Sequence, residues 1–310
     1  MHPPTIRQLQ FLVALADEGS FSKAAGACHV TQPTLSAAIR EVEGLLGVQL
    51  VERQARGAQL TPSGSVVVER ARRILADVDD LIMAASDSGR PLTGPFRLGA
   101  IPTIAPYVLP FIASDLTVNH SELKLILRED ITARLMEGLR ARTLDAAIVA
   151  LPWDMRGIET EILFEDPFSV VCPADHEFAQ QSHVTMDDLK ETDLLLLDEG
   201  HCLREHALAA CEFAPRQNRD LSATSLHTLL YMVGGGIGIS LVPQLAIDAG
   251  VIDQTKVAVR PFNKTVAGRT VAIAWRAGSP HGESAKLIGE SIRRAQAARA
   301  SECPLSQVTT

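Results

Sequence analysis

The chain has 310 residues, of which 46% are hydrophobic and 21% are charged, and its formal net charge is −8. This length allows two or three domains, the composition is that of a globular protein rather than a disordered one, and no apolar run is long enough to cross a bilayer. The sequence therefore excludes a disordered or membrane-spanning chain, and because the amino terminus has no signal-peptide pattern, we expect a cytoplasmic protein.

The first 61 residues predict a helix-turn-helix unit. Residues 5–17 place apolar side chains at helical spacing, and a Gly-Ser break separates them from a short second helix. Thr31 is the candidate N-cap of a third helix, with Pro33 in its first turn and Gly47 at its C-cap. Five basic and five acidic residues make this segment neutral, so the acidic surplus lies beyond it. That distribution is compatible with DNA binding without supporting it.

The third helix carries a polar face that suits DNA. Gln32, Ser36 and Arg40 follow one another four residues apart, so we expect them to share an exposed face, with Thr34 beside them. Short polar side chains and an arginine at the front of a helix can reach base edges and phosphates in the major groove. On this pattern alone, an ordinary solvated face is an equal alternative.

Residues 48–61 alternate as a β-hairpin does, with Arg53 and Arg56 near its tip. These arginines would contact the DNA backbone if the hairpin is a wing. The alternative is a surface turn without a binding role.

Residues 62–85 predict one long helix that mediates self-association. Its apolar positions alternate four and three apart, which is the period of a coiled coil. A helix packed on its own domain would also show a stripe, but the sustained period favours pairing with a second copy. These positions are Val67, Ala71, Ile74, Val78, Leu81 and Ala85. A stretch with the composition of a linker follows.

Beyond the linker, strands and helices alternate along the chain. This order predicts open parallel sheets that bind ligands at the carboxyl ends of their strands. The candidate strands are 96–101, 123–127, 146–151, 168–172, 194–197, 239–242 and 271–275. The candidate helices are 132–140, 202–213, 225–233 and 284–300.

The five cysteines predict no disulfide framework, because their number is odd and they are scattered. They form no C-x-x-C unit and show no zinc spacing, so we expect neither a metal site nor a cofactor. Cys28, Cys172 and Cys303 have unremarkable surroundings. The remaining two cysteines do not.

Cys202 and Cys211 form a candidate redox pair, the first of them next to a histidine and a glycine. If the segment between them is helical, nine steps separate their Cα atoms by roughly 13 Å. A disulfide needs Cα atoms within roughly 7 Å, so a bond would require the helix to unwind, as a switch does. The alternatives are a small buried side chain for Cys202 and a place on a helical core face for Cys211.

The amino-terminal motifs resemble those of the LysR-type transcriptional regulators. The matching stretches are Ser-Phe-Ser-Lys-Ala-Ala at 20–25, Thr-Gln-Pro-Thr-Leu-Ser at 31–36 and Leu-Thr-Pro-Ser-Gly at 60–64. The resemblance implies an α/β protein with a winged helix-turn-helix, a long dimerising linker helix and an effector domain of two α/β lobes, similar to periplasmic binding proteins. The implied boundaries are 1–61, 62–92 and 93–302, with lobes 93–163 plus 267–302 and 164–266.

Within that family, the second half resembles the peroxide-sensing OxyR branch. The matches lie at 99–107, at 194–204, where the chain reads Leu-Leu-Leu-Leu-Asp-Glu-Gly-His-Cys-Leu-Arg, and at 223–226. Glu205 and His206 depart from the branch, where a shorter acid and a neutral polar residue are expected. The stretch 212–215 also diverges.

The resemblance assigns roles to individual residues. Cys202 would be the peroxide sensor and Cys211 the resolving thiol, which together form an intramolecular disulfide. The residues implied to bind peroxide or activate the thiolate are Thr103, Thr132, His201 and Arg276. Those implied to contact DNA are Thr31, Gln32, Pro33, Thr34, Ser36, Arg40 and Arg53. The structural alternatives are a core or helix-capping histidine for His201 and a salt bridge that tethers the lobes for Arg276.

The resemblance also implies partners. They are promoter DNA of antioxidant genes, further copies of the chain in a dimer or tetramer, RNA polymerase, hydrogen peroxide as signal and a glutaredoxin or thioredoxin system as reductant. A regulator of this type is not an enzyme. Two alternatives stay open: a LysR-type regulator that binds a small organic metabolite between its lobes, and a thiol peroxidase that uses Cys202.

Overall fold

The computed structural model describes residues 3–54, 57–85, 90–211, 216–263 and 268–302. The chain divides into two compact units, Met1–Gly89 with Ala141–Thr143 and Arg90–Arg140 with Leu144–Thr310. The first unit thus combines the predicted DNA-binding domain with most of the predicted linker segment. None of the helices in these ranges has the length and apolar character that a membrane span requires. Arg56 and Cys303 lie outside the described residues.

The first unit begins with three helices and a hairpin. The Thr5 side chain starts the first helix through a capping box with Gln8. Leu12, Leu35 and Ile39 belong to the core that the three helices enclose. The elements are α1 (Ile6–Glu18), α2 (Phe21–Ala27), α3 (Gln32–Leu46), β1 (Val51–Gln54), β2 (Gly57–Leu60) and α4 (Pro62–Ala85).

Helix α3 has the caps that the sequence predicts. The Thr31 side chain accepts a hydrogen bond from the Thr34 backbone N–H, and Gly47 ends the helix in the left-handed conformation at φ +69°. The hairpin prediction is also confirmed, because β1 and β2 pair antiparallel. Arg53 lies in β1, but its side chain is outside the described part of the chain.

Helix α4 has the predicted bounds and buries only part of its apolar stripe. Ala71 is buried, whereas Ile74 is 44% exposed and Leu81 is 67% exposed. Large apolar side chains left in solvent along one helix mark an interaction surface. We call this partly exposed apolar stripe of α4 the seam. Self-association through the seam stays a prediction.

The second unit contains all the remaining strands and helices. Its elements begin with β3 (Gly94–Ala100), α5 (Ala105–Asn119), β4 (Leu123–Glu129), α6 (Thr132–Arg140), β5 (Ala146–Leu151), β6 (Ile158–Asp166) and β7 (Phe168–Pro173). They continue with β8 (Asp193–Leu197), α7 (Cys202–Ala210), β9 (Arg216–Ala223), α8 (Leu226–Gly234) and β10 (Ser240–Pro243). The last are α9 (Gln244–Asp248), β11 (Val257–Arg260), β12 (Arg269–Arg276) and α10 (Gly282–Glu302).

Two groups of strands build the two lobes of this unit. The first lobe has a five-stranded sheet of order β4-β3-β5-β12-β6. The second has the three-stranded sheet β10-β7-β11 and the pair β8-β9, joined through a bridge between Leu194 and Ile239. The first sheet continues to Asp166, three residues beyond the predicted lobe boundary at 163.

The expectation of purely parallel sheets is wrong. In the first lobe β3 pairs parallel with β4 and β5, but β12 runs antiparallel to β5 and β6. In the second lobe both neighbours of β7 are antiparallel to it. Strand β12 comes from a distant part of the chain, so no crossover helix fixes its direction. Its amino-terminal end consequently lies at the carboxyl edge of β3 and β5.

The sequence pattern missed several elements. Strands β6 and β9 carry many charged or polar residues, and β11 is only four residues long. Helix α5 has a proline in its interior and no clear polar face, which obscures its period. The predicted helix 202–213 ends at Ala210, so Cys211 lies at its C-cap.

Candidate redox site

Cys202 is the first residue of α7, at the point where the chain leaves β8. Gly200 adopts φ +95° in the connecting loop, a conformation that favours glycine, and His201 is the N-cap. The Cys202 side chain is 6% exposed, and no disulfide joins it to Cys211. The fold thus holds the thiol at a helix N-terminus, just beneath the surface.

Cys202 lines a small crevice between the two lobes. Residues 101–103 follow β3, residues 131–132 open α6, and residues 200–203 come from the second lobe. The crevice encloses about 180 Å³ with its open side included. It lies at the carboxyl edge of the first sheet, beyond β3 and β4, where open α/β sheets bind ligands.

The groups around Cys202 act on its thiol in opposite directions. Burial raises the pKa, because a thiolate is poorly solvated there. The Thr132 hydroxyl, the charge of Arg269 and the backbone N–H groups of Cys202 and Leu203 lower it, in that order. Burial outweighs them, so the pKa of Cys202 lies above its ordinary value. The helix N-terminus favours the thiolate but does not set the resting charge.

Arg269 is a buried arginine that connects the two sides of the first lobe. Its guanidinium donates from Nη1 to Thr103 Oγ1 at 2.6 Å and from Nη2 to the Thr103 carbonyl at 3.0 Å. Its Nε donates to Asp166 Oδ2 at 3.0 Å. Because all these groups are buried, the arginine is held in one orientation beside the crevice.

The prediction that Arg276 approaches the thiolate is wrong, and Arg269 takes that place. The two arginines stand at opposite ends of β12, seven residues or roughly 23 Å apart, and on opposite faces of the strand. Because β12 is antiparallel to β5, its first residue, not its last, lies at the crevice edge. Arg276 pairs in register with Ile158 at the far edge. The sequence signal that could have identified Arg269 is an arginine at the start of the largely apolar strand β12.

The two predicted threonines have different environments. Thr103 is buried and its hydroxyl is occupied by Arg269. Thr132 is also buried, but its Oγ1 makes no well-formed hydrogen bond within the described residues, although it lies close enough to the sulfur to favour a thiolate. A capping threonine would bond a backbone N–H, so capping does not explain Thr132. Its hydroxyl is available to a small polar ligand.

His201 lines the same crevice and also has a free nitrogen. Its Nδ1 is buried without a hydrogen-bond partner in the part of the chain that is described, and its side chain makes no capping bond to α7. The structure therefore places Thr132, His201 and Cys202 together, and Thr132 Oγ1 and His201 Nδ1 have no well-formed hydrogen bond within the described ranges.

Cys211 terminates the helix that Cys202 begins. It is 6% exposed, and burial raises the pKa of its thiol. Cys211 is nine helical steps beyond Cys202, which corresponds to roughly 13 Å of rise. The cysteines can join only if the helix unwinds. The divergent stretch 212–215 lies outside the described residues.

The predicted DNA-contacting face of α3 is exposed except at one position. Gln32 and Arg40 are exposed, as are Thr31, Pro33 and Thr34 at the start of the helix. Ser36 is 6% exposed, so its predicted exposure is wrong. Ser36 is instead buried beside Leu35, Ile39 and Val42, the residues through which α3 packs into the core of the first unit.

Family models match both units of the chain. The model described as "Bacterial regulatory helix-turn-helix protein, lysR family" matches residues 6–65, and the model described as "LysR substrate binding domain" matches residues 89–297. Together they cover most of the sequence, and the second alone covers more than half.

Similar proteins span nearly the full length of the chain. It is 39% identical to the "Hydrogen peroxide-inducible genes activator" of Dickeya chrysanthemi, over 93% of this chain and 94% of the relative. It is 37% identical to the "HTH-type transcriptional regulator EstR" of Acinetobacter baylyi, over 94% and 97%. A solved full-length OxyR variant from Pseudomonas aeruginosa matches with a TM-score of 0.76 and 36% identity, over 94% and 98%.

Proposed function

The chain belongs to the LysR family of bacterial transcriptional regulators, and from this premise we propose that it senses hydrogen peroxide by joining Cys202 and Cys211. The observation that carries the proposal is the position of the two thiols at opposite ends of one short helix, with the first in a polar crevice. A relative whose name describes a response to hydrogen peroxide supports it. The genes regulated would be antioxidant genes.

The first chemical step is oxidation of Cys202. Its thiolate attacks one oxygen of hydrogen peroxide, so that an S–O bond forms, the O–O bond breaks and hydroxide leaves as water after taking up a proton. The Thr132 hydroxyl and the His201 imidazole would hold the peroxide, because Thr132 Oγ1 and His201 Nδ1 have no well-formed hydrogen bond to any described residue. Arg269 favours the thiolate electrostatically and orients Thr103. The product is a sulfenic acid at Cys202.

The second step joins the two cysteines. The Cys211 thiolate attacks the Cys202 sulfur, an S–S bond forms, and the S–O bond breaks to release a second water. Over both steps, two thiols and one peroxide give one disulfide and two waters. Because the bond requires α7 to unwind, the chemical signal becomes a change of shape in the second lobe.

Several partners follow from this scheme. Promoter DNA would bind α3, further copies of the chain would assemble in part through α4, and RNA polymerase would respond at the promoter. A dithiol reductant of the glutaredoxin or thioredoxin class would reset the disulfide, since the scheme has no internal reductant. Binding promoter DNA and being reset by such systems both require a cytoplasmic location.

The size of the crevice favours peroxide over an organic metabolite. Pockets for small organic ligands usually enclose about 300–1,000 Å³, whereas all the empty space in this crevice, the open solvent at its mouth included, amounts to about 180 Å³. The name of the relative EstR mentions no peroxide, so a regulator that binds a small organic metabolite between its lobes stays the alternative. A tight metabolite complex with a fully responsive Cys202→Ser variant would favour it.

Footprinting with reduced and peroxide-treated protein tests the proposal. The DNA would be a promoter fragment that the wild-type chain selects from genomic fragments of its host. We expect the protected region to change upon oxidation, and Cys202→Ser to retain the reduced footprint in both conditions. A footprint that peroxide does not alter would contradict the proposed function. Sustained, rapid peroxide consumption with a dithiol would instead indicate a thiol peroxidase.

A further inference from the structure

His206 is a buried histidine in the middle of the helix that must unwind. It lies one turn after Cys202 on α7, and its side chain belongs to the buried set at 7% exposure. Its Nδ1 has no hydrogen-bond partner among the described residues. A buried imidazole nitrogen without a protein hydrogen-bond partner disfavours the helical arrangement. The sequence already marks this position, since His206 departs from the OxyR-like pattern.

The surroundings of His206 oppose its protonation. The charged group that acts on it from another element is Arg269 on β12, which is itself paired with Asp166 at the end of β6. On α7 itself, Cys202 has a raised pKa and is uncharged, and Glu205 is exposed to solvent. Burial first, and the Arg269 charge second, lower the pKa of His206 to about 4.

Disulfide formation must move His206 out of this environment. It lies between the two cysteines, and their Cα atoms have to approach from roughly 13 Å to within roughly 7 Å. No rotamer change closes that gap, so the helical turns that carry His206 have to open. An opened segment exposes the imidazole to water, where an ordinary protonation equilibrium returns.

We propose that His206 couples the thiol switch to pH, because it is buried and unprotonated while α7 is helical and binds a proton from solvent once the disulfide has opened the helix. This inference deepens the proposed function and rests on it. The sulfur chemistry is unchanged: two thiols and one peroxide give a disulfide and two waters. The proton on His206 is taken up in addition.

The sign of the effect follows from the two protonation equilibria. The ordinary pKa of 6.5 applies to the opened form, and the value of about 4 applies to the helical form. The helical form therefore loses stability relative to the opened form as the pH falls from 6.5 toward 4. Acid favours the disulfide in this window, and above pH 7 His206 has almost no influence.

The test is the thiol–disulfide equilibrium of the full chain at two pH values. Wild type and His206→Gln are equilibrated with reduced and oxidised dithiothreitol at pH 8 and pH 6, and the Cys202–Cys211 bond is quantified by peptide mapping. Relative to the variant, the wild-type equilibrium should shift toward the disulfide by about fourfold between pH 8 and pH 6. The matched control, His227→Gln on the exposed face of α8, should behave as wild type.

The outcomes separate this inference from the proposed function. Identical pH dependence in wild type and His206→Gln, with the bond present in both, would overturn the role of His206 alone. Absence of the Cys202–Cys211 bond at both pH values would overturn the proposed function as well.

If the variant does not fold, NMR titration of the His206 ring in reduced and oxidised wild type tests the inference instead. A pKa near 4 that rises toward 6.5 upon oxidation supports the inference, and an unchanged pKa refutes it.

Discussion

The Cys202 sulfur experiences opposing influences from its neighbours. Burial keeps it as a thiol, while a hydroxyl, a guanidinium and two backbone N–H groups are arranged to favour the thiolate. Under the proposed function, the site rests as a thiol, and a ligand that completes its hydrogen bonds would make it reactive. The free polar atoms of Thr132 and His201 are where such a ligand would bind.

Thr132→Val should separate reactivity from stability. No well-formed hydrogen bond is lost, so the free energy of unfolding should change by less than about 1 kcal/mol. The rate of Cys202 oxidation should fall about 10- to 100-fold, because one hydrogen bond to a charged group contributes about 1.5–3 kcal/mol. Denaturant unfolding and stopped-flow oxidation measure the two quantities. Thr117→Val on α5 is the control, and an unchanged oxidation rate in Thr132→Val would refute a role for this hydroxyl.

Exchanging the two arginines of β12 for lysine tests the corrected site. Arg269→Lys keeps a charge but cannot bridge Thr103 and Asp166 with a planar fork. We expect oxidation of Cys202 to slow about tenfold, and unfolding to become easier by about 1–3 kcal/mol. Arg276→Lys should leave the rate unchanged and the stability within about 0.5 kcal/mol. A larger loss of rate in Arg276→Lys would restore the original prediction.

At the scale of elements, local patterns predicted helices well and strand direction poorly. The bounds of α4 and α6 and both caps of α3 follow from apolar spacing and from capping residues, which are local properties. The direction of β12 depends on its partners in a sheet assembled from distant segments. Arg269 was missed for that reason, because only an antiparallel β12 brings its first residue to the crevice.

Substitutions in helix α3 should distinguish contacts with DNA bases from contacts with DNA phosphates. Gln32→Ala should weaken binding to the selected promoter fragment by about 1–3 kcal/mol and affect scrambled DNA less. Arg40→Ala should weaken binding to both DNAs and lower the salt slope by about one. Fluorescence anisotropy measures both effects, with Gln10→Ala on the exposed side of α1 as control. Equal loss on both DNAs in Gln32→Ala would show that this residue reads no bases.

Helix α4 should hold two copies of the chain together. Leu81 is 67% exposed, and a glutamate there would place a charge in the proposed seam. Leu81→Glu should therefore shift the chain toward smaller assemblies in sedimentation experiments. Arg70→Glu puts the same side chain off the seam and should not. If both variants sediment as wild type does, assembly uses another surface.

At the scale of the whole molecule, the sequence motifs predicted the fold and the placement of the DNA-binding helices and the thiol pair in different parts of the chain. The DNA-reading helices and the thiol pair lie in different compact units, and the second unit has the two expected lobes. What the motifs did not supply is the tertiary environment of each side chain. The burial of Ser36 and the lack of a hydrogen-bond partner for His206 Nδ1 among the described residues depend on packing between elements, which residue spacing does not encode.

The central claim is that Cys202 and Cys211 form one intramolecular bond in response to peroxide. The most direct measurement is non-reducing peptide mapping of the full chain after a brief pulse of about one equivalent of peroxide. We predict a Cys202–Cys211 linkage, with Cys28 and Cys172 still alkylated as free thiols after denaturation. Finding both Cys202 and Cys211 free, while the treated protein still changes its footprint on DNA, would contradict the account.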